Sequence, residues 1–280
     1  MPPTSPASFR NAFPSDRARH RCHVRVFDVV LTVAVPPSLA PAVERLLSAW
    51  RCATSDTPAA ILVVDESRGS EGAPAYTLHA GGQVLASAPD RERAVVALQH
   101  WIDGEVVARA GRLTPVHAGV VAWRHRAVVL PGPSGTGKTS LVRSLLERGA
   151  VYYSDELAFL EADGRVRPYP RHLMVRGDDG LARAVPADIL GAGIGSEAQP
   201  ISLILDVRFS VDGLVRLEPM TCSEALLLLL ANTPHRLSSA RAVPKALRSA
   251  AASGRAYRGT RGCAAEAASA ILHLAELMTP

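Results

Sequence analysis

The sequence predicts an α/β fold in two parts, a small N-terminal α/β domain over residues 23–111 and a larger one over residues 112–280. Three observations carry this expectation. Runs rich in β-branched residues alternate with segments whose apolar residues recur at helical spacing. A glycine-rich segment, residues 132–137, stands between an apolar strand and an amphipathic helix. The character of the chain changes at Thr114-Pro115, after which two apolar runs, residues 116–123 and 126–131, lead directly into the glycine-rich segment.

Residues 1–22, rich in Pro, Ser and Arg and without a continuous apolar stretch, read as a disordered tail and not as a secretory signal. Residues 23–35 are β-branched enough for a strand. Residues 38–53 follow as a helix, with Leu39, Val43, Leu46, Leu47 and Trp50 on one face. Residues 60–64 make another strand, and 76–79 and 84–87 flank Gly81-Gly82 as a hairpin. Asp90 caps a helix carrying Val95, Leu98, Trp101 and Ile102. This first domain holds no catalytic constellation and reads as a docking or scaffold unit.

In the second domain, residues 116–123 and 126–131 form an antiparallel pair across the basic turn Arg124-His125. A helix follows from Lys138 to Arg148, then strands near 151–161 and 165–176, a strand over 201–209, and helices near 222–232, 244–252 and 262–277. Residues 177–200, with five glycines, read as a mobile loop.

Composition excludes several classes. The 280-residue chain is 48% hydrophobic, enough for a buried core, and only 5% aromatic, which leaves little for nucleic-acid bases to stack on. The net charge of +5 is spread along the chain, and all but Lys138 and Lys245 of its 31 basic residues are Arg, so no nucleic-acid patch is signalled. Cys22, Cys52, Cys222 and Cys263 are far apart and without metal-ligand spacing, which fits a reducing cytoplasm. No apolar run approaches the roughly 20 residues of a membrane span, so no membrane partner is expected.

Gly132-Pro133-Ser134-Gly135-Thr136-Gly137-Lys138-Thr139 satisfies G-x-x-x-x-G-K-[ST] between a strand and a helix, the context that makes such a segment a phosphate-binding loop. The glycines let successive N–H groups point at phosphates, Lys138 reaches the terminal phosphates, and the Thr139 hydroxyl faces Mg²⁺. Asp155 and Glu156 stand at the end of the next strand, read as a neighbour of the loop strand, where they hold Mg²⁺ or take the proton of an attacking hydroxyl. Asp206, closing the apolar run 201–205, competes for the metal role, and spacing alone does not separate the two acids. His117 lies on the strand before the loop; a lone strand histidine is more often structural than catalytic.

Together these positions resemble the catalytic domain of the HPr kinase/phosphorylase family, whose P-loop kinase core is related to that of phosphoenolpyruvate carboxykinase. The residues that carry the likeness are His117, Gly132 to Thr139, Arg148-Gly149, Asp155-Glu156 and Arg176-Gly177, over about residues 112–220. The resemblance implies an enzyme that uses ATP or GTP with Mg²⁺ to phosphorylate a serine of a peptide or protein. It implies metal and base roles for Asp155 and Glu156, with Thr139 on the metal, an assisting role for His117, and charge neutralisation by Arg176 and Arg171. It also allows a homo-oligomer, since HPr kinases form hexamers. Two departures stand out: Glu156 replaces the family's usual Asp, and Met174 replaces a Glu near the metal, which argues against the reverse phosphorylase reaction. Residues 168–173 and 254–258 are similar to the shorter HPr-kinase-like enzymes of ribosomal peptide clusters, some of which phosphorylate a lasso-peptide precursor. The alternatives are a P-loop ATPase or nucleotide switch without an acceptor, and a metabolic phosphotransferase.

Overall fold

The computed structural model describes residues 19–53, 57–69, 72–177, 179–211, 213–234 and 243–278. The chain is mixed α/β and divides into two compact units, Met1–Glu105 and Val106–Pro280. The division falls inside a helix and not at residue 111. Most of the expected tail lies outside the described residues, but its last three residues belong to a strand.

The first unit begins with β1 (His20–Val26) and β2 (Val29–Val35), an antiparallel hairpin where one long strand was expected. Phe27, left-handed at φ 53°, turns the chain between them, and a run of β-branched residues hides such a turn from a reading by composition. The expected helix over 38–53 is shorter, as α1 (Ala40–Leu46) and a 3₁₀ turn over Ser48–Trp50. β3 (Ala60–Arg68), β4 (Pro74–Ala80) and β5 (Gln83–Ala88) complete a five-stranded sheet in the order β1-β2-β3-β4-β5. α2 (Arg91–Ala108) then starts at Asp90, whose carboxylate accepts from the Arg93 N–H at 2.8 Å.

In the second unit β6 (Thr114–Trp123) and β7 (Arg126–Pro131) form the expected hairpin, with Arg124 and His125 both left-handed, as a two-residue turn matched to strand twist requires. α3 (Lys138–Leu146), β8 (Val151–Ser154), β9 (Leu157–Leu160) and the two-residue β10 (Val166–Arg167) follow. β11 (Leu173–Arg176) pairs with β12 (Ala182–Val185) as a separate hairpin, and Ala187–Leu190 forms a 3₁₀ turn. The stretch read as a loop over 177–200 therefore carries structure of its own. Then come β13 (Ile201–Phe209), β14 (Arg216–Met220), α4 (Cys222–Ala231), α5 (Val243–Ser253), β15 (Arg255–Arg261) and α6 (Ala264–Leu277).

The main sheet runs β10-β9-β6-β7-β13-β15-β14, with β8 also on β6. β7, β13 and β15 are parallel neighbours. Alternate residues face opposite sides of a strand, and here both sides are covered. Val120 and Val129 pack with Ala225 and Leu229 of α4 and Leu247 of α5, whereas Val121 and Val128 pack with Leu141 and Leu145 of α3 and Ile271 of α6. That double burial is why the strands of this unit read as continuous apolar runs.

β8 is not the neighbour of the loop strand that its position after α3 led us to expect. It lies on the far edge of β6, which spans ten residues and is long enough to pair with both β8 and β9 on that edge while β7 takes the other. Two antiparallel steps bring β8 back to the direction of β7. Its end at Ser154 and the end of β7 at Pro131 thus lie on the same side of the sheet.

Candidate active site

The loop at residues 132–137 leaves the end of β7 and enters α3. Gly132 N–H donates to the His117 carbonyl at 3.2 Å, so the loop begins fastened to β6. Gly137, at φ 86°, is the residue from which α3 starts, and a side chain would be strained there. Thr136 Oγ1 donates to the Pro133 carbonyl at 3.0 Å. Lys138 folds back over the loop, its Nζ donating to the carbonyls of Gly132 at 2.7 Å and Pro133 at 2.9 Å. It is only 8% exposed, and burial lowers its pKa while the charges of Glu156 and Asp155 pull the other way.

The turn from β8 to β9 presents the two acids. Ser154 shapes that turn, its Oγ accepting from the N–H groups of Glu156 at 3.3 Å and Leu157 at 3.1 Å. Asp155 is fully buried. Its Oδ2 accepts from the Thr139 hydroxyl and from the Met174 N–H, both at 3.1 Å, and its Oδ1 accepts from the Tyr152 hydroxyl at 3.2 Å. Arg171 completes the cage, with Nη1 3.5 Å from Oδ1 and a side chain 1% exposed. Asp155 is thus a buried, hydrogen-bonded carboxylate set against Thr139.

Glu156 is the more open acid. Its Oε1 accepts from the Ser134 hydroxyl at 3.0 Å and lies 3.7 Å from His117 Nδ1. Burial pushes its pKa up, but His117, Lys138, Arg171 and Ser134 together outweigh that and hold it below the usual carboxylate value.

The structure therefore brings together Ser134, Lys138, Thr139, Asp155, Glu156 and His117. Arg176 is exposed at the end of β11, where it pairs with Ala182. The Thr139 hydroxyl bonds Asp155, and the Asp206 carboxylate, on β13, lies 3.6 Å from Arg208 of its own strand. Met174 engages through its main chain, so the loss of a side-chain ligand there leaves a hydrogen bond to Asp155 in place.

Two participants were not legible as partners of Asp155. Tyr152 reads as an ordinary strand tyrosine. Arg171 is one Arg among many, but the signal was present in Pro168-Tyr169-Pro170, which keeps the preceding backbone extended. The Tyr169 ring packs edge-on against Phe159 at 5.0 Å, and its N–H donates to the Tyr153 carbonyl at 2.9 Å, so the segment is fixed against β8 and β9 with Arg171 turned inward.

No protein-family model matches this chain, and no curated protein matches it in sequence. Among the described residues, no helix is long and apolar enough to cross a membrane, and the four cysteines are free.

Proposed function

We propose that the protein is an HPr-kinase-like phosphotransferase, moving the terminal phosphoryl group of ATP or GTP, with Mg²⁺, onto a serine hydroxyl of a peptide or protein. One observation carries this reading: the loop Thr139 hydroxyl meets Asp155 while the next residue, Glu156, meets Ser134 of the same loop. Two carboxylates of unlike environment thus stand at one phosphate-binding loop. Pairs of titratable groups whose surroundings set them apart divide labour between them.

The donor set fits Mg²⁺. Thr139 and Asp155 offer hard oxygens, and among the described residues no group of three or more His, Cys, Asp or Glu side chains could hold a metal alone. Mg²⁺ is bound in that manner, by one or two protein oxygens together with substrate phosphates. When bound it would neutralise phosphate charge. Asp155, caged by four donors, is suited to holding the ion's shell and not to moving a proton. Glu156, with solvent on one side, takes the proton of the acceptor hydroxyl as that oxygen bonds to phosphorus and the bond to the departing diphosphate breaks. His117, with a side chain 45% exposed, is placed to pass that proton to water. Lys138 holds the terminal phosphates, and Arg171 is an arginine at the acids.

The test is transfer itself. The protein is incubated with Mg²⁺ and γ-labelled ATP or GTP and with peptides or proteins encoded beside its gene, and phosphate is mapped by mass spectrometry. Label on a serine, absent with the D155N variant, is the expected result; nucleotide turnover with no labelled serine in any of them would replace the kinase reading with that of an ATPase.

A further inference from the structure

Arg261 is the last residue of β15, and it runs beneath the phosphate-binding loop. β7, β13 and β15 are parallel, and Arg261 pairs with Phe209 at the end of β13, so both lie on the side of the sheet where the loop leaves β7. Ligands of open α/β sheets bind beyond those strand ends. The Arg261 side chain enters that crevice: Nη2 donates to the Gly137 carbonyl at 2.9 Å and Nη1 to the Gly262 carbonyl at 3.1 Å. A Cβ at residue 137 would lie 2.4 Å from Nη2, so with any other residue there the guanidinium would have to shift.

The electrostatics of Arg261 are incomplete. The residue is 3% exposed, and its Nε–H is buried without a partner. Its neighbours include two carbonyls, the face of the Phe209 ring, 5.7 Å from the guanidinium carbon, and Cys263, and among the described residues no carboxylate forms an ion pair with it. Burial accordingly lowers its pKa from the ordinary arginine value. Arg171, the other deeply buried arginine of this unit, has Asp155. A desolvated cation without an anion is unfavourable, and an arriving anion removes that cost.

We propose that Arg261 is a phosphate-binding residue, a cation supplied by the last strand of the sheet to the nucleotide held at residues 132–139. This rests on the reading of those residues as a nucleotide-phosphate loop. Lys138 reaches the phosphates from the start of α3, and Arg261 meets the same turn at the Gly137 carbonyl. The ligand completes a charge pair that the described residues leave open. Affinity at this loop therefore depends on a strand 124 residues away in sequence from Gly137.

The rival role is a strut that merely ties Gly137 to β15. Two variants separate them: R261Q keeps a donor for the Gly137 carbonyl without the charge, and R261K keeps the charge without the fork. Melting is measured without nucleotide, and Mg-ATP and Mg-ADP are titrated calorimetrically into each folded protein. The expected result is that R261Q melts at or above the wild-type temperature yet binds nucleotide about ten- to a hundredfold more weakly, with R261K nearer wild type. R261Q binding like wild type, or melting well below it or failing to fold, would establish the strut and overturn the proposal. Wild-type protein that binds no nucleotide would instead remove the phosphate-loop reading on which the proposal stands, and the proposal with it.

Discussion

Thr139 Oγ1 donates a 3.1 Å hydrogen bond to Asp155 Oδ2 across 16 residues of chain. It joins the first turn of α3 to the end of β8, and it distinguishes Asp155 from Asp206, two acids that strand patterning leaves equivalent. The same contact sets a hydroxyl and a carboxylate together where a hard cation bound with phosphates finds its protein oxygens.

Lys138→Ala should abolish tight Mg-nucleotide binding and leave the fold intact. The Lys138 ammonium bonds two loop carbonyls, so its removal takes charge from the site. Calorimetric titration on protein with unchanged far-ultraviolet dichroism checks it. Wild-type affinity in the variant would exclude residues 132–139 as the phosphate site.

Asp155→Asn should lower phosphoryl transfer at least about a hundredfold, whereas Asp206→Asn should stay within about twofold. An amide at 155 cannot match both Arg171 and a cation, while the Asp206 carboxylate lies beside Arg208. The reverse order in a labelled-phosphate assay would point to a metal site on β13.

Arg171 and Asp155 form a pair with side chains 1% and 0% exposed, so breaking it from either side leaves a charge in the interior. Arg171→Met should cost about 3–5 kcal/mol in urea denaturation, and the double variant with Asp155→Asn should cost less than the sum of the single ones. Additive losses would mean that the two side chains act independently.

How much of this was readable before folding depends on where each partner lies. The loop, its lysine and the strand over 201–209 were legible because each is a local pattern, and the hairpin at Arg124-His125 was legible because two apolar runs flank a two-residue gap. β15 was not. Arg255, Arg258 and Arg261 alternate with Gly259 and Thr260 in a strand whose burial comes from its neighbours, so no apolar period marks it. The cage of Asp155 was hidden for a related reason, since the Met174 N–H and the Arg171 guanidinium reach it only after residues 168–176 fold across β8. The position of β8 was misjudged because chain order favours β7 as its neighbour, while the length of β6 decided the pairing.

Glu156 gives a pH signature. In the folded protein its carboxyl lies below the ordinary value, because His117, Lys138, Arg171 and Ser134 favour the charged form more than burial opposes it. The stability it contributes is therefore present above the unfolded-state carboxylate pKa and is lost as pH falls through the lower folded value. Removing the imidazole with His117→Ala should raise the Glu156 pKa, so the acid limb of kcat/KM should move to higher pH, while Glu156→Gln should cost about 10²- to 10⁴-fold at neutral pH. An acid limb that stays in place in His117→Ala would separate the histidine from the acid.

The last prediction concerns what water is allowed to do at the site. A hydrolytic switch needs only water, which is always present, whereas a kinase gains most of its rate from positioning the acceptor hydroxyl. Glu156 is the acid open to an acceptor, and it is fastened to Ser134, so a base so held serves a hydroxyl delivered to one place better than a diffusing water. Nucleotide hydrolysis without acceptor should therefore be slow. Adding the correct serine-bearing peptide should raise nucleotide consumption, with phosphate recovered on that serine and Glu156→Gln depressing transfer more than hydrolysis. Labelled phosphate release and incorporation, followed in parallel over the same time course, measure both rates at once. Fast release that ignores every acceptor, and that Glu156→Gln leaves unchanged, would make the loop a nucleotide switch and Glu156 a structural tether for Ser134.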